Sequence, residues 1–360
     1  MKRTVVLKLG GLGDMLMLGP SLQSFADSFP GTELILITGS SNSRVLNAHP
    51  AISRQYLLND ARLFRGGILG KLSQTFRLWW LLLTLRPSEV FILHRDWRYN
   101  LMAFLAFVPV RYGFSRDLKG AFLTAYLPND QSLHETEKYS ALFSLKPGFK
   151  PGSLQMRMYP TAAEREQVNA FAGTRLPAGK KLVAIAAGGA LNAKMSSENK
   201  RWAPANYATL AANLMDDDYF PVFVGGPGDK EMVSQLISGL PDAYRKPGRY
   251  ADATGLFSPS QTYALLQHCH LMVSNDCGPM HIGSASGIPV IALFGPTDPA
   301  EYRPVQNPLS YTFWPGGEQL PCSPCYFHGY FPPCSHVSCM KMILPTQVFA
   351  KVKEILTPLN

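Results

Sequence analysis

No stretch of this chain approaches the roughly 18 apolar residues that a membrane-spanning helix requires. LWWLLLTL, from Leu78 to Leu85, has eight residues and sits between Arg77 and Arg86; FLAFVPV, from Phe104 to Val110, is shorter still. The opening MKRTVVLKLG runs directly into glycines, with neither an apolar leader core nor a cleavage site. These absences point to a cytoplasmic protein, with LWWLLLTL either packed in a core or resting on a membrane face. Two phosphate-binding signatures are also missing. GGLGD after the first predicted strand does not have G-x-G-x-x-G spacing, and no acid follows about 20 residues on, which disfavours a hydride-transfer enzyme. G-x-x-x-x-G-K-[ST] is absent as well, so a P-loop is not expected. The basic half contains no recognised nucleic-acid module, so nucleic acid is not expected as a partner.

What the chain has is 360 residues, 46% of them apolar, and a net charge of +9. The length suggests two domains. Residues 1–160 hold 19 Lys and Arg against 10 Asp and Glu, and residues 161–360 hold 15 of each, so the whole excess lies in the first half. That half is the better candidate for an anionic ligand, or simply carries a basic surface.

Apolar runs TVVLKL, ELILIT and EVFILH read as strands, and DMLMLGPSLQSFADSF, residues 71–85 and NLMAFLAFV as helices, with a short helix at SNSRVLNAHP. A Pro- and Gly-rich lapse over residues 146–162 reads as a linker. The alternation resumes with KLVAIAAGG, FPVFVGGPGD, HLMVSND, the helix GPMHIGSASG and IPVIALFGPTDP. Two α/β units are expected, each a doubly wound parallel sheet, with ligands at the carboxyl ends of the strands. The expected domains are 1–160 and 161–345, with a Cys-rich loop at 320–340 and a terminal helix at 346–360 packing back towards the first.

SNDCGPMHIGSASG, from Ser274 to Gly287, lies between two of these strands. Gly278-Pro279 suits the opening of a helix, whose free N–H groups attract a diphosphate. Asp276 stands just before it and His281 falls in its first turn. In LGDML, Asp14 sits where a bound phosphate would be repelled. From the residues alone it reads as a helix cap before MLML.

These segments together resemble bacterial glycosyltransferase family 9, the lipopolysaccharide heptosyltransferases. SNDCGPMHIGSASGIPVIALFGPTDP is similar to that family's N-D-[ST]-G-x-x-H signature and its F-G-x-T continuation. LGDMLMLGPSLQSF resembles its G-D-x-x-x-x-x-P segment, NKRWAPANYATLAANL its K-x-W-x-x-x-x-[FWY] segment, and VGGPGDKE a segment ending in a sugar-site Glu. The resemblance implies a GT-B fold, with two Rossmann-like domains facing across a cleft, and an inverting transfer without a catalytic cofactor. It implies a nucleotide-sugar donor, ADP-heptose, and a lipopolysaccharide-core or related glycan acceptor. Peripheral contact with the cytoplasmic face of the inner membrane goes with such an acceptor.

On this resemblance Asp14 is the general base, placed opposite the leaving nucleotide. Gly11 and Gly13 let the acceptor approach the backbone. Lys200 offsets charge growing on the donor diphosphate, with Arg201 beside it as the residue most easily confused with it. Asp276 holds donor hydroxyls or orients Lys200, Gly278 offers backbone donors, and His281 binds a phosphate or is structural. Glu231 meets the nucleotide ribose or is simply solvated. Cys277 stands where the family carries Ser or Thr, which removes a hydroxyl donor. On the acceptor side, HRDWRYN (with Arg95 and Arg98), Arg111, Arg116 and Lys119 supply cations suited to phosphates and sugar carboxylates. Two rival readings are a GT-B-fold nucleotide-sugar epimerase and a non-catalytic nucleotide-sugar-binding subunit.

CSPCYFHGYFPPCSHVSC places Cys322, Cys325, Cys334 and Cys339 in one cluster. C-x2-C is a common start of a tetrahedral thiolate site, so a structural Zn or Fe is one expectation, with His328 and His336 as substitute ligands. Reduced, unliganded thiols are the other. The run Asp216-Asp217-Asp218 reads as a solvated loop, and no catalytic metal is expected there.

Overall fold

The computed structural model describes residues 2–115, 120–128, 132–189, 198–326 and 330–357. Arg116, Lys119 and His328 lie outside the described residues. The chain divides into two compact units, the first running through Tyr159 and the second starting at Pro160.

The first unit is built on a parallel sheet of β1 (Arg3–Lys8), β2 (Glu33–Gly39), β3 (Arg54–Leu58), β4 (Glu89–Ile92), β5 (Val110–Ser115) and β6 (Ala125–Pro128), in the order β3-β2-β1-β4-β5-β6. The second holds β7 (Leu182–Ala186), β8 (Phe220–Phe223), β9 (Ala251–Asp252), β10 (Leu271–Asn275), β11 (Val290–Leu293) and β12 (Tyr311–Phe313), in the order β12-β11-β10-β7-β8-β9. Counted from its own first strand, each sheet runs 3-2-1-4-5-6, the doubly wound Rossmann order. In that order the connections reverse direction between the first and fourth strands, which opens a crevice at their carboxyl ends. Central strands such as VVLK and LVAIA are buried almost throughout, as strands covered by helices on both faces must be.

Helix Leu12–Ser28 follows β1 and packs against helix Glu135–Ser144, the last of the unit. Phe91 and Phe143 stack at 4.2 Å between ring centroids, with Phe25 edge-on to both. The second core gathers Trp202, Tyr207 and Leu210 from one side of the sheet with Ile343, Val348 and Val352 from the chain's end. Val348 and Val352 lie on helix Pro345–Leu356, whose buried face is thus used within the second unit. Trp202 Nε1 donates to the Ile343 carbonyl at 2.9 Å, and Lys181 Nζ to that of Leu356, which fastens the helix there.

One element differs from the sequence reading. SNSRVLNAHP makes only a 3-10 turn at Ser40–Asn42 followed by turns: Ser43 Oγ bonds back to the Ser40 carbonyl, while Ser41 turns to Asp60 and Asn42 to the Gly10 carbonyl, polar contacts that compete with helix. LWWLLLTL belongs to one long helix, Ile68–Leu85, with Leu78, Leu82 and Leu85 buried and Trp80 exposed.

Candidate active site

At the carboxyl end of β1 the chain turns through Gly10 and Gly11 into helix Leu12–Ser28, with Asp14 in the first turn. Asp14 folds back on the turn, and its Oδ2 accepts the Gly11 N–H at 2.9 Å. Asp14 is therefore not the N-cap, which is Gly11, but the third helical residue, whose side chain bonds back to the N-cap N–H. The side chain has other partners. Lys8 Nζ lies 3.2 Å from Oδ1, and the Tyr139 hydroxyl donates to the same oxygen at 3.2 Å. Lys8 in turn donates to the Tyr139 oxygen at 2.7 Å.

Burial opposes ionisation of Asp14, but Lys8, the Gly11 N–H and Arg95 outweigh it and hold the carboxyl at about 2. Behind this triad Glu135 is buried between Arg95, at 2.6 Å, and Lys138, at 3.1 Å. Burial works against Glu135 too, yet Arg95, Lys8 and Lys138 keep it below the usual carboxylate range. The Tyr139 phenol is pushed well above its usual value by burial and by the neighbouring Glu135 and Asp14 carboxylates, so it stays a neutral donor.

Of the expected acceptor residues, Arg95 belongs to this buried network. Arg98 faces solvent and forks onto Asp96. Arg111 is turned onto backbone carbonyls, including Phe122 at 2.5 Å. Gly13 is buried in the helix's first turn. The glycine that the geometry demands is Gly10, where a Cβ would fall 2.6 Å from the Asp14 Cβ and 2.8 Å from Lys8 Cε. Lys8, Tyr139, Glu135, Lys138 and Gly10 were not singled out from sequence. A lysine inside TVVLKL was the one local signal, since a cation in a buried strand needs a partner.

In the second unit the matching crevice lies at the ends of β7 and β10. Lys200 Nζ meets Asp276 Oδ2 at 2.6 Å, and Thr297 Oγ1 donates to the same oxygen at 2.6 Å. Burial raises and Lys200 lowers the Asp276 pKa, and with Thr297 and His281 adding to the lysine the net direction is down. Arg201 is separated from its neighbour by this packing, because its guanidinium donates to the Gly189 carbonyl at 3.0 and 3.2 Å. Lys200 also lies over the rings of Tyr326 and Phe331, at 5.7 and 5.6 Å, and those rings are 4.6 Å apart. Both aromatics come from the cysteine-rich segment, which the Pro296 carbonyl ties down by accepting the N–H groups of Cys325 and Tyr326.

Asn275 is fully buried and explains the residue beside Asp276. Its carbonyl accepts the Trp202 N–H and the Tyr207 hydroxyl, and its amide donates to Ala187 and Gly188. One side chain thereby joins the NKRW segment, β10 and the end of β7. Asp229 does a similar job, accepting the N–H groups of Gly189 and Gly226. Gly278 opens helix Gly278–Ser286, and Cys277 before it caps nothing. Burial pushes the Cys277 thiol up to about 12, and its Sγ rests 3.4 Å from Ser274 Oγ. It fills the space against Gly189, where a Cβ would be 2.6 Å from its own. His281 is buried in the helix. Glu231 is exposed on helix Lys230–Ser238, with Gln235 one turn on.

The cysteine cluster shows no assembled metal set among the described residues, where no group of three or more His, Cys, Asp or Glu side chains is arranged to hold an ion. Cys322 is exposed, Cys339 is buried in the second core, and His336 bonds Ser338. The thiols nevertheless lie near one another: burial and the neighbouring Cys334 and Cys322 raise the Cys325 pKa, and burial with Cys325, Cys334 and Cys322 raises that of Cys339. The three aspartates at 216–218 diverge, each to a different partner: Tyr244, Lys353 and Lys180.

Residues 90–326 match the profile of glycosyltransferase family 9 (heptosyltransferase). Lipooligosaccharide heptosyltransferase 2 of Campylobacter jejuni is 28% identical over 180 residues, which is 50% of this chain and 53% of that protein. The chain thus spans about half the length of that curated relative. A family 9 glycosyltransferase from Veillonella parvula has a TM-score of 0.79 at 23% identity, covering 99% of this chain and 97% of that one. The Escherichia coli ADP-heptose lipopolysaccharide heptosyltransferase II has a TM-score of 0.73 at 18% identity, covering 99% and 98%. At such identities the solved structures show a shared GT-B fold, and the profile, which covers well over half of the chain, shows the kinship: the chain belongs to glycosyltransferase family 9.

Proposed function

We propose that this protein is an inverting glycosyltransferase that moves a heptose from ADP-heptose to a lipopolysaccharide-core or related glycan acceptor. Asp14 is the general base and Lys200 the cation on the donor diphosphate. The observation that carries the reading is the Lys200–Asp276–Thr297 arrangement beside the N-terminus of helix Gly278–Ser286. A lysine and a row of backbone N–H groups suit a diphosphate whose charge grows as it leaves. Asp276 holds the lysine in place without needing to touch the donor.

In the step, the acceptor oxygen forms a bond to the anomeric carbon while the bond from that carbon to the diphosphate oxygen breaks on the opposite face. The acceptor proton passes to the Asp14 carboxylate, and the electron pair leaves with ADP. A carboxylate held at about 2 is ionised at neutral pH and is a weak base at rest. The hydroxyl becomes strongly acidic as its oxygen bonds to carbon, so a weak base placed early and held ionised suffices. No step needs a metal.

The test is ADP-heptose turnover with a lipid A–Kdo acceptor, followed by product mass and anomeric configuration. Asp14→Asn is expected to lower kcat by about a hundredfold or more while ADP affinity is kept. Lys200→Ala is expected to weaken ADP binding itself. Turnover of a different nucleotide sugar would retain the base and cation roles and discard heptose. An Asp14→Asn variant as active as wild type would remove Asp14 from the chemistry.

A further inference from the structure

Helix Ile68–Leu85 is apolar on two opposite faces. Gln74, Leu78, Leu82 and Leu85 form the buried face against the first unit's sheet. Ile68, Leu72, Phe76 and Trp80 follow each other at intervals of four residues and are offset by two from the buried row. Two residues turn a helix by about 200°, so this second row points away from the core. It is exposed: Ile68 by 78%, Phe76 by 60% and Trp80 by 52%. An outer helix face normally carries charged and polar residues, and a helix apolar all round is normally buried all round.

The apolar surface does not stop at the helix. Trp79 Nε1 donates to the Leu105 carbonyl at 3.2 Å, which brings the end of helix Trp97–Leu105 alongside. Just past it Phe107 is 83% exposed on a left-handed turn, with φ of 57°. The rings of Phe76, Trp79 and Trp80 lie within 6.4 Å of one another.

The surroundings of this surface carry one sign of charge. Between Asp60 and Glu89 the sequence holds Arg62, Arg65, Lys71, Arg77 and Arg86 and no acid. Lys71 and Arg77 are exposed on the same helix as the aromatic row. A second copy of the chain docked on this face by a two-fold axis would set these cations against their own copies. An anionic bilayer instead meets them with opposite charge and takes the aromatic row into its interfacial layer, where Trp and Phe are at home.

We propose that the outer face of helix Ile68–Leu85, extended by Phe107, is a docking surface for an anionic lipid bilayer, with the helix lying in the plane of the interface. No helix among the described residues is long and apolar enough to cross a membrane, so the contact is one of resting on the surface. The surface lies wholly within the first unit, the unit that carries the basic excess. It stands independently of the sugar and donor proposed above.

The experiment is flotation of the full chain with vesicles of phosphatidylcholine alone and of phosphatidylcholine mixed with phosphatidylglycerol. Binding is expected to the mixed vesicles and to fall as salt is raised. Phe76→Ser with Trp80→Ser is expected to reduce it by at least about tenfold. Lys71→Glu with Arg77→Glu is expected to lose about fivefold or more for each cation, and only on anionic vesicles. Phe107→Ser gives a second probe outside the helix, and near-ultraviolet circular dichroism checks that each variant is folded. Wild type that fails to float with either vesicle overturns the proposal. So does binding unchanged in the Phe76/Trp80 and Phe107 variants. A concentration-dependent dimer that the Phe76/Trp80 variant breaks would assign the face to a second copy instead.

Discussion

Asp14 is the residue on which local and tertiary effects meet. The Gly11 N–H that it accepts is three residues of chain away, but Lys8 and Tyr139 reach it from the strand before and from a helix more than a hundred residues later. Replacing Lys8 by Met removes an opposite charge in direct contact and is expected to raise the Asp14 pKa from about 2 by about 1 to 3 pH units, read by carbon-13 NMR of the carboxyl. The same depression has a stability consequence. Because the folded value lies below the ordinary 3.8, the contribution is whole above about pH 4 and is lost as pH falls towards 2. Acid unfolding of Lys8→Met, compared with wild type, should therefore lose part of its slope in that window. A Lys8→Met protein whose Asp14 still titrates near 2 would show that the Gly11 N–H and Arg95 suffice.

Asn275 offers a second prediction at this scale. Truncation to Ala strands two donors and two carbonyls inside the second core, each of which costs about 1–3 kcal/mol when left unpaired, with partial relief by relaxation. A loss of about 3–5 kcal/mol in denaturant unfolding is expected, larger than for Cys277→Ala, whose thiol makes only weak contacts with Ser274 and the Met280 backbone. At this scale sequence reasoning placed Lys200 and Asp276 in separate motifs, and the fold sets them 2.6 Å apart. Asn275 and Thr297 stood inside recognised segments without a role, because a buried amide's four partners are set by distant chain. Glu135, Lys138 and Tyr139 left no mark at all. HETEKYS reads as an ordinary capped helix start, and it is one.

Among the elements, the cysteine-rich segment gains a role that its spacing did not suggest. It holds no assembled metal set among the described residues, yet it carries Tyr326 and Phe331 onto Lys200. Rings at that distance stabilise an ammonium by about 0.5–1 kcal/mol each at an accessible site. Phe331→Ala is therefore expected to weaken ADP binding about two- to fivefold by calorimetry, and Phe331→Tyr to restore it. Equal binding in both variants would reduce the pair to packing. Helix Ile68–Leu85 gives the opposite lesson. Its apolar residues were legible, but a run such as LWWLLLTL does not say which of two apolar faces finds a partner.

For the molecule as a whole, two cores with separate sheets predict that a ligand of one unit leaves the other's stability unchanged. ADP at about a hundred times its Kd should stabilise the unit that binds it by about 2.7 kcal/mol. Hydrogen exchange, followed peptide by peptide, is expected to slow over residues 182–189 and 271–286, and to stay as it was over 3–8 and 89–92. Slowing spread equally across both sheets would mean that the units unfold as one.

The sequence by itself determined the fold class. Strand and helix periods alternate along both halves, parallel strands buried on both faces are written as apolar runs, and glycines mark their carboxyl ends. These are local properties of the chain, so a linear reading reaches them. Tertiary structure decided what each polar group faces: which of Lys200 and Arg201 turns to Asp276, what holds Asp14 ionised, and that the cysteine-rich segment brings its aromatics to Lys200. It also decided which side of helix Ile68–Leu85 is left to solvent. Charge and burial depend on neighbours distant in sequence, and only the folded chain supplies those neighbours.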